Sequence, residues 1–181
     1  MNIEKIEKNI NKKIEYYEKI ESTHIYAKKI EKQGDKILIA EQQTGGIGTK
    51  GRSWHSGKNK NIAITIIKHP KCKIKELEGF TTKIAEVIVD AIYDLYGIRL
   101  EIKIPNDLLL NGKKICGILT EIHTMSETIE YMLISFGFNV NEENFNPEIE
   151  EIATSLKKEF QKEFDREEII IEILKKINDL I

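Results

Sequence analysis

The sequence predicts an α+β domain, a mainly antiparallel mixed sheet flanked by helices, and three observations carry that prediction. Apolar residues recur at helical spacing near both ends of the chain. Runs of β-branched residues fill the middle, and turn-forming pairs such as Asn111-Gly112 separate those runs at hairpin distance.

In chain order, Ile3, Ile6, Ile10 and Ile14 stand at helical spacing and predict a short amphipathic helix over residues 1–13. A short strand is expected over 14–20, then a helix over 24–32 with Ser22 or Thr23 as its cap and Gly34 closing it. Residues 36–41 read as an apolar strand that delivers the chain into a glycine-bearing loop at 45–51. Residues 61–68 (NIAITIIK) alternate and branch at Cβ, which favours a strand. A long helix is predicted over 74–96, with Phe80, Ile84, Val87, Ile88, Ala91, Ile92 and Leu95 on its apolar stripe and Gly97 past its end.

Four strands follow, over 99–104, 107–110, 114–124 and 128–140. Asn111-Gly112 accepts the positive φ of a type I′ hairpin turn between the second and third. The last forty residues return to helical spacing, with Ile149, Ile152, Leu156 and Phe160 on one helix and residues 169–177 on another, capped by Asp165 ahead of Glu168. At 181 residues without repeats or an internal linker, the chain is expected to form a single domain over 1–181.

A net charge of -2 removes the electrostatic footprint of a nucleic-acid binder, so no nucleic-acid partner is expected. Cys72 and Cys116 form neither a CxxC pair nor a disulfide framework, and the histidines lack metal-ligand spacing, so no metal site is expected. No stretch approaches eighteen apolar residues, which predicts a chain without a membrane partner and a cytoplasmic location.

Two segments carry chemistry. In residues 42–54 (QQTGGIGTKGRSW) the glycines allow backbone N–H groups to approach phosphate oxygens, while Lys50 and Arg52 supply positive charge. The same composition also suits a plain surface hairpin. In residues 103–121 (KIPNDLLLNGKKICGILTE), Pro105 interrupts pairing and places Asn106 and Asp107 at a strand end beside Lys103. That corner reads either as a site or as an ordinary turn.

Taken together, Gly-Arg-x-Trp at 51–54, Lys-x-Pro-Asn-Asp at 103–107, Asn-Gly-Lys-Lys-Ile-x-Gly-Ile-Leu-x-Glu at 111–121 and Gly-x-Asn-Val-Asn at 137–141 resemble the catalytic domain of biotin protein ligases, in order and spacing. Glu21-Ser22-Thr23 and Ile152-Ala153-Thr154-Ser155-Leu156 extend the resemblance over nearly the whole chain. It implies the fold shared by class II aminoacyl-tRNA synthetases and biotin protein ligases. It also implies a reaction in which ATP with Mg2+ converts biotin to biotinyl-5′-adenylate, and biotin passes to a lysine of a biotin carboxyl carrier protein.

By the same resemblance, Lys103, Arg52 and Asp107 are the catalytic candidates, with Lys103 holding the carboxylate. Ser22, Thr23, His24, Gln43, Gly46, Gly48, Thr49 and Gly117 are expected with Lys103 around biotin. Gly48, Lys50, Gly51, Arg52, Trp54, Asn61, Asn106, Lys114 and Asn139 are expected on the nucleotide side, although Lys114 also reads as a solvated strand lysine. Neither an N-terminal winged helix nor a C-terminal SH3-like domain is expected, and the oligomer is either a monomer or a homodimer.

The chain departs from the family pattern at three places. Ser22-Thr23-His24 stands where Ser-Thr-Asn is usual, residues 46–52 (GIGTKGR) lack two of the usual loop arginines, and Ile104 replaces a tryptophan. Each lost charged hydrogen bond is expected to weaken the grip on phosphate by about 1–3 kcal/mol. A lipoate or octanoate ligase and a non-catalytic biotin-binding paralogue are the alternative readings.

Overall fold

Central strands rich in isoleucine need cover on both faces, and the chain supplies it with helices from both ends. The computed structural model of the chain describes residues 1–55 and 57–180, and of Lys50 only the backbone. The helices are α1 (Ile3–Ile10), α2 (Thr23–Ile30), α3 (Phe80–Tyr96), α4 (Leu156–Phe160) and α5 (Arg166–Leu180). The strands are β1 (Glu15–Tyr17), β2 (Lys36–Ala40), β3 (Gly46–Ile47), β4 (Ser53–Trp54), β5 (Ile62–Lys68), β6 (Glu101–Lys103), β7 (Asp107–Leu110), β8 (Lys113–Met125) and β9 (Thr128–Phe138). Seven of them form one sheet in the order β1-β2-β5-β9-β8-β7-β6, while β3 and β4 make a separate small hairpin. The β1–β2 pair is parallel and every other pair in the large sheet is antiparallel, as the sequence predicts.

Residues opposite each other on neighbouring antiparallel strands share a face. One face carries Leu108, Cys116, Phe138 and Ile62 in one row and Ile118, Phe136, Ile64 and Ile39 in the next, packed into a core with α3 and α5. On the other face, Leu38, Ile67 and Leu133 pack beneath Ala27 and Ile30 of α2. Each fully buried isoleucine contributes about 1.5–3 kcal/mol of transfer free energy, so the two-sided cover of the central strands dominates the stability of the sheet.

Asn111 and Gly112 have φ of 52° and 77°, the pair of positive values a type I′ turn requires. Two predicted helices need correction. The helix expected over 74–96 breaks into a 3-10 turn at Ile74–Leu77 and α3, because Gly79 takes φ 72° and ends one before the other begins. The helix expected to carry Ile149, Ile152, Leu156 and Phe160 starts only at Leu156, where the Ser155 hydroxyl caps it. Upstream, Lys114 N–H donates to Ile152 C=O at 2.8 Å and Thr154 N–H donates to Lys114 C=O at 2.9 Å, which draws that segment alongside β8. Ile152 is left 63% exposed as a result.

Candidate active site

The register builds the floor of the site. Lys103 lies opposite Asp107, Asp107 opposite Gly117, Gly117 opposite Gly137, Gly137 opposite Ala63 and Ala63 opposite Ala40. These residues share the face under α2, so a row of small side chains runs across the sheet from a lysine and a carboxylate toward the helix. A cleft lies over this row. It is lined by Ser22, Thr23, Gln43, Gly48, Trp54 and Asn106, with Lys114 and Ser135 among the others.

At the α2 end the polar groups are buried and tied together. Ser22 caps α2, which turns Thr23 and His24 inward, and all three are at most 2% exposed. Gln43 Oε1 accepts from the Thr23 N–H at 2.8 Å and from the Thr23 hydroxyl at 3.0 Å. The Thr65 hydroxyl donates to Thr23 Oγ1 at 2.9 Å and meets Ser135 Oγ at 2.8 Å, and His24 Nδ1 lies 2.7 Å from Ser135 Oγ. His24 Nε2 comes within 3.1 Å of Glu121 Oε1 but in a geometry that makes no hydrogen bond. Burial holds the His24 imidazole below its ordinary value, against the opposing pull of Glu121. Burial acts to raise the Glu121 carboxyl, yet the hydrogen bond from Lys28 and the nearby His24 imidazole outweigh it and keep the group below its ordinary value.

At the opposite end the charges are accessible. Lys103 is exposed on the edge strand β6, so the structure puts it at the end of the row and outside the cleft lining. Among the described residues Lys114 is the lysine in the cleft wall, 2.7 Å from Asp107 Oδ1, and its position follows from the two backbone bonds that hold residues 152–154 beside it. Asn106 Nδ2 donates to the Ile118 C=O at 3.1 Å, and the Asn106 C=O accepts from Ile118 N–H at 2.8 Å, which pins the corner against β8. Ile104, in place of the expected tryptophan, is 75% exposed.

Between the two ends, the β3–β4 hairpin brings Trp54 over the floor. A Cβ added to Gly137 would lie 2.2 Å from the indole, so only glycine permits this approach. Lys114 Nζ stands 5.7 Å from the Trp54 ring centroid, a cation–π contact. Gly46 is needed for the hairpin itself, because a Cβ there would meet the Trp54 C=O at 2.5 Å. Thr49 and Gly48 line the cleft, and the exposed Arg52 turns back on its own loop, 3.4 Å from the Thr49 C=O. Gly51 has φ 72° in the turn at Thr49–Gly51, and the Lys50 side chain lies outside the described residues.

Of the expected nucleotide-side residues, Gly51, Arg52, Asn61 and Asn139 lie outside the cleft lining, and the last two are buried. Asn61 is 2% exposed and its Oδ1 accepts from the Val140 N–H, while Asn139 Nδ2 donates to the Thr154 C=O. Both amides satisfy buried backbone at strand ends, work that an Asn in a strand-end motif performs as readily as ligand binding. Conversely, sequence reasoning passed over Thr65, Ser135 and Glu121. The available signal was a lone hydroxyl inside each of two otherwise apolar central strands, IAITIIK and the segment YMLISFGF.

The profile of the biotin/lipoate A/B protein ligase family matches residues 16–139. The chain belongs to this family. It is 35% identical over 140 residues to the bifunctional ligase/repressor BirA of Bacillus subtilis, covering 76% of this chain and 43% of that protein. It is 31% identical over 133 residues to the human biotin--protein ligase, covering 70% of this chain and 18% of that one. The chain thus spans less than half the length of the relatives it matches here. Among solved structures, the biotin protein ligase from Aquifex aeolicus in complex with biotin and ATP superposes with a TM-score of 0.78 at 25% identity, over 93% of this chain and 69% of that one. The Leishmania major biotin protein ligase with biotinyl-5-AMP shares the fold, with a TM-score of 0.75 at 23% identity over 92% of this chain and 74% of that one.

Proposed function

We propose that the chain is a biotin protein ligase domain. It joins biotin to AMP from ATP, which arrives as its magnesium complex, and passes the acyl group to a lysine of a biotin carboxyl carrier protein. The single observation that carries this reading is the row from Lys103 and Asp107 through Gly117 and Gly137 to Ala63, with buried polar groups at one end and cations at the other. An acid with an apolar chain and a polar ring fits such a floor. The similarity to ligases of that activity supports the same choice.

In this mechanism the ring sits against Gln43 and Thr23 and the chain lies over the glycine floor. Lys103 and Lys114 approach the carboxylate and the α-phosphate. One carboxylate oxygen attacks the α-phosphorus and pyrophosphate leaves, and the two ammonium groups stabilise charge that builds on the phosphoryl oxygens. Then the acceptor lysine nitrogen attacks the acyl carbon, AMP leaves and the nitrogen loses a proton, with Asn106 and Asp107 positioning the amine. The loop from Gly46 to Arg52 covers the adenylate against water.

Among the described residues no helix is long and apolar enough to cross a membrane, in keeping with an enzyme that works on a carrier protein in the cytoplasm. ATP–pyrophosphate exchange measured with biotin, lipoate and octanoate in parallel tests the assignment. Biotin-dependent exchange that disappears in Lys103→Ala is expected. Exchange with another acid alone would reassign the substrate, and none with any acid would remove the enzyme reading.

A further inference from the structure

The buried hydroxyls at the α2 end have only one consistent proton arrangement. The Thr23 backbone N–H donates to the Gln43 side-chain atom at 2.8 Å, so that atom must be the carbonyl oxygen. Thr23 Oγ1 lies 3.0 Å from the same oxygen and has one proton, which it must direct there. Thr65 therefore donates to Thr23, and Ser135 must donate to Thr65. With its own proton engaged, Ser135 Oγ is left as an acceptor, and the His24 nitrogen 2.7 Å away, Nδ1, must carry a hydrogen. Were the neutral ring protonated on Nε2 alone, Ser135, Thr65 and Thr23 would all turn round. The lone pairs of Thr23 Oγ1 would then face those of Gln43 Oε1.

We propose that His24 is a positioning residue for the acid-binding end of the cleft. Its Nδ1 proton sets the direction of the relay through Ser135, Thr65 and Thr23, which adds the Thr23 hydroxyl to the Thr23 backbone N–H as a second donor to the Gln43 carbonyl and so holds the Gln43 N–H groups toward the ligand. This inference rests on the reading that the acid's ring sits against Gln43. Both lone pairs of the Gln43 carbonyl are engaged by Thr23, so the amide N–H groups are what Gln43 has left for the cleft it lines. Such a wall selects an acid whose ring carries a carbonyl acceptor, as a cyclic urea does. A dithiolane ring or a plain alkyl chain offers it nothing to bond. A site that hydrogen-bonds one substrate group discriminates against analogues lacking it, because its buried donors are then left unpaired.

One neighbour pulls the other way, because Glu121 Oε1 lies 3.1 Å from Nε2, but it does so outside hydrogen-bonding geometry, and the relay of hydroxyls decides the tautomer. Glu121 from β8, Lys28 from α2 and His123 from β8 are the charged or titratable neighbours on this side, and Tyr131 of β9 stacks on His123. Lys28 Nζ is 2.7 Å from Glu121 Oε2 and already supplies that carboxylate with a cation, so His24 need not bring a proton to it through Nε2. On β5 and β9 the ring's neighbours in the relay are uncharged hydroxyls.

Nitrogen-15 imidazole spectra of the unliganded chain test the relay without any ligand, and the chain has only 4 histidines to assign. Protonated Nδ1 with bare Nε2 is expected for the neutral ring, and the opposite tautomer would overturn the proposal. Calorimetric binding of biotin and octanoate to His24→Phe and His24→Asn supplies the second readout. His24→Phe is expected to lose about tenfold in biotin affinity with octanoate within about twofold, and His24→Asn, which retains an N–H donor, to recover most of the loss. Equal weakening of both acids in His24→Phe would overturn the proposal by marking a merely structural role. Should the wild-type chain bind neither acid, the ligase reading fails, while the tautomer still decides the relay.

Discussion

The two ends of the cleft are built by opposite means. At the α2 end, Gln43, Thr23, Thr65, Ser135 and His24 form one connected hydrogen-bonded chain with Glu121 at its far side, and most of it is buried. At the β6 end Lys103 and Ile104 stand exposed on the edge strand and in the turn that follows it. Neutral hydroxyls can be buried because each finds a partner, whereas an isolated ammonium in the same position would carry a desolvation cost of several kcal/mol. On the proposed function, the acid's ring meets groups already in place, and the phosphate meets cations that keep their water until it arrives. The proposed function thus assigns binding selectivity to the first end and rate to the second.

Substitutions sharpen that division. Lys103→Ala carries the largest expected effect, a loss of about 10²–10³ in kcat, the scale for removing one group that stabilises developing charge. Biotin affinity measured without ATP is expected to stay within a few-fold, and a large loss there would break the division. Gly137→Ala acts at the boundary. Its new methyl would lie 2.2 Å from the Trp54 indole, so an overpacking cost of about 1–3 kcal/mol is expected in urea unfolding. The chain has 1 tryptophan, so its fluorescence reports the displacement directly.

Thr65→Val removes the middle of the relay while preserving shape, and about tenfold weaker biotin binding with a nearly unchanged maximal rate is expected. The smallest effect is the pH dependence of stability. Burial lowers His24 from its ordinary 6.5, so the unfolded chain binds that proton more tightly than the folded one. Its contribution to stability is complete above about pH 6.5 and is lost as pH falls toward the lowered folded value. Urea midpoints compared between the wild type and His24→Asn from pH 7.5 to about 5.5 should show a steeper decline in the wild type, and parallel curves would remove His24 as the source.

Much of this molecule was legible in the chain. Local patterns decide local structure, so the Asn111-Gly112 turn, the β7 limits at Asp107–Leu110 and the Asp165 cap on α5 follow from neighbours a few residues apart. The glycine loop and the Lys-x-Pro-Asn-Asp corner stood out as candidates for chemistry, each beside a plain hairpin or turn reading, and Gly48, Thr49 and Asn106 from them line one cleft. Register was not legible. That Lys103, Asp107, Gly117, Gly137 and Ala63 form one row depends on pairing between strands far apart in sequence, and a shift of one residue would have sent each to the other face.

For the same reason Thr65 and Ser135, 70 positions apart, could not be read as partners, nor could His24 be seen to close their chain. Asn61 and Asn139 show the converse. Their motifs suggested ligand contacts, but the ends of β5 and β9 left backbone groups of Val140 and Thr154 to be satisfied, and the two amides went to them. The sequence by itself determined the elements and the chemical inventory, because these depend on short-range pattern. Which of those groups meet was decided by tertiary structure alone, because buried polar atoms must find partners wherever the packed sheet happens to place them.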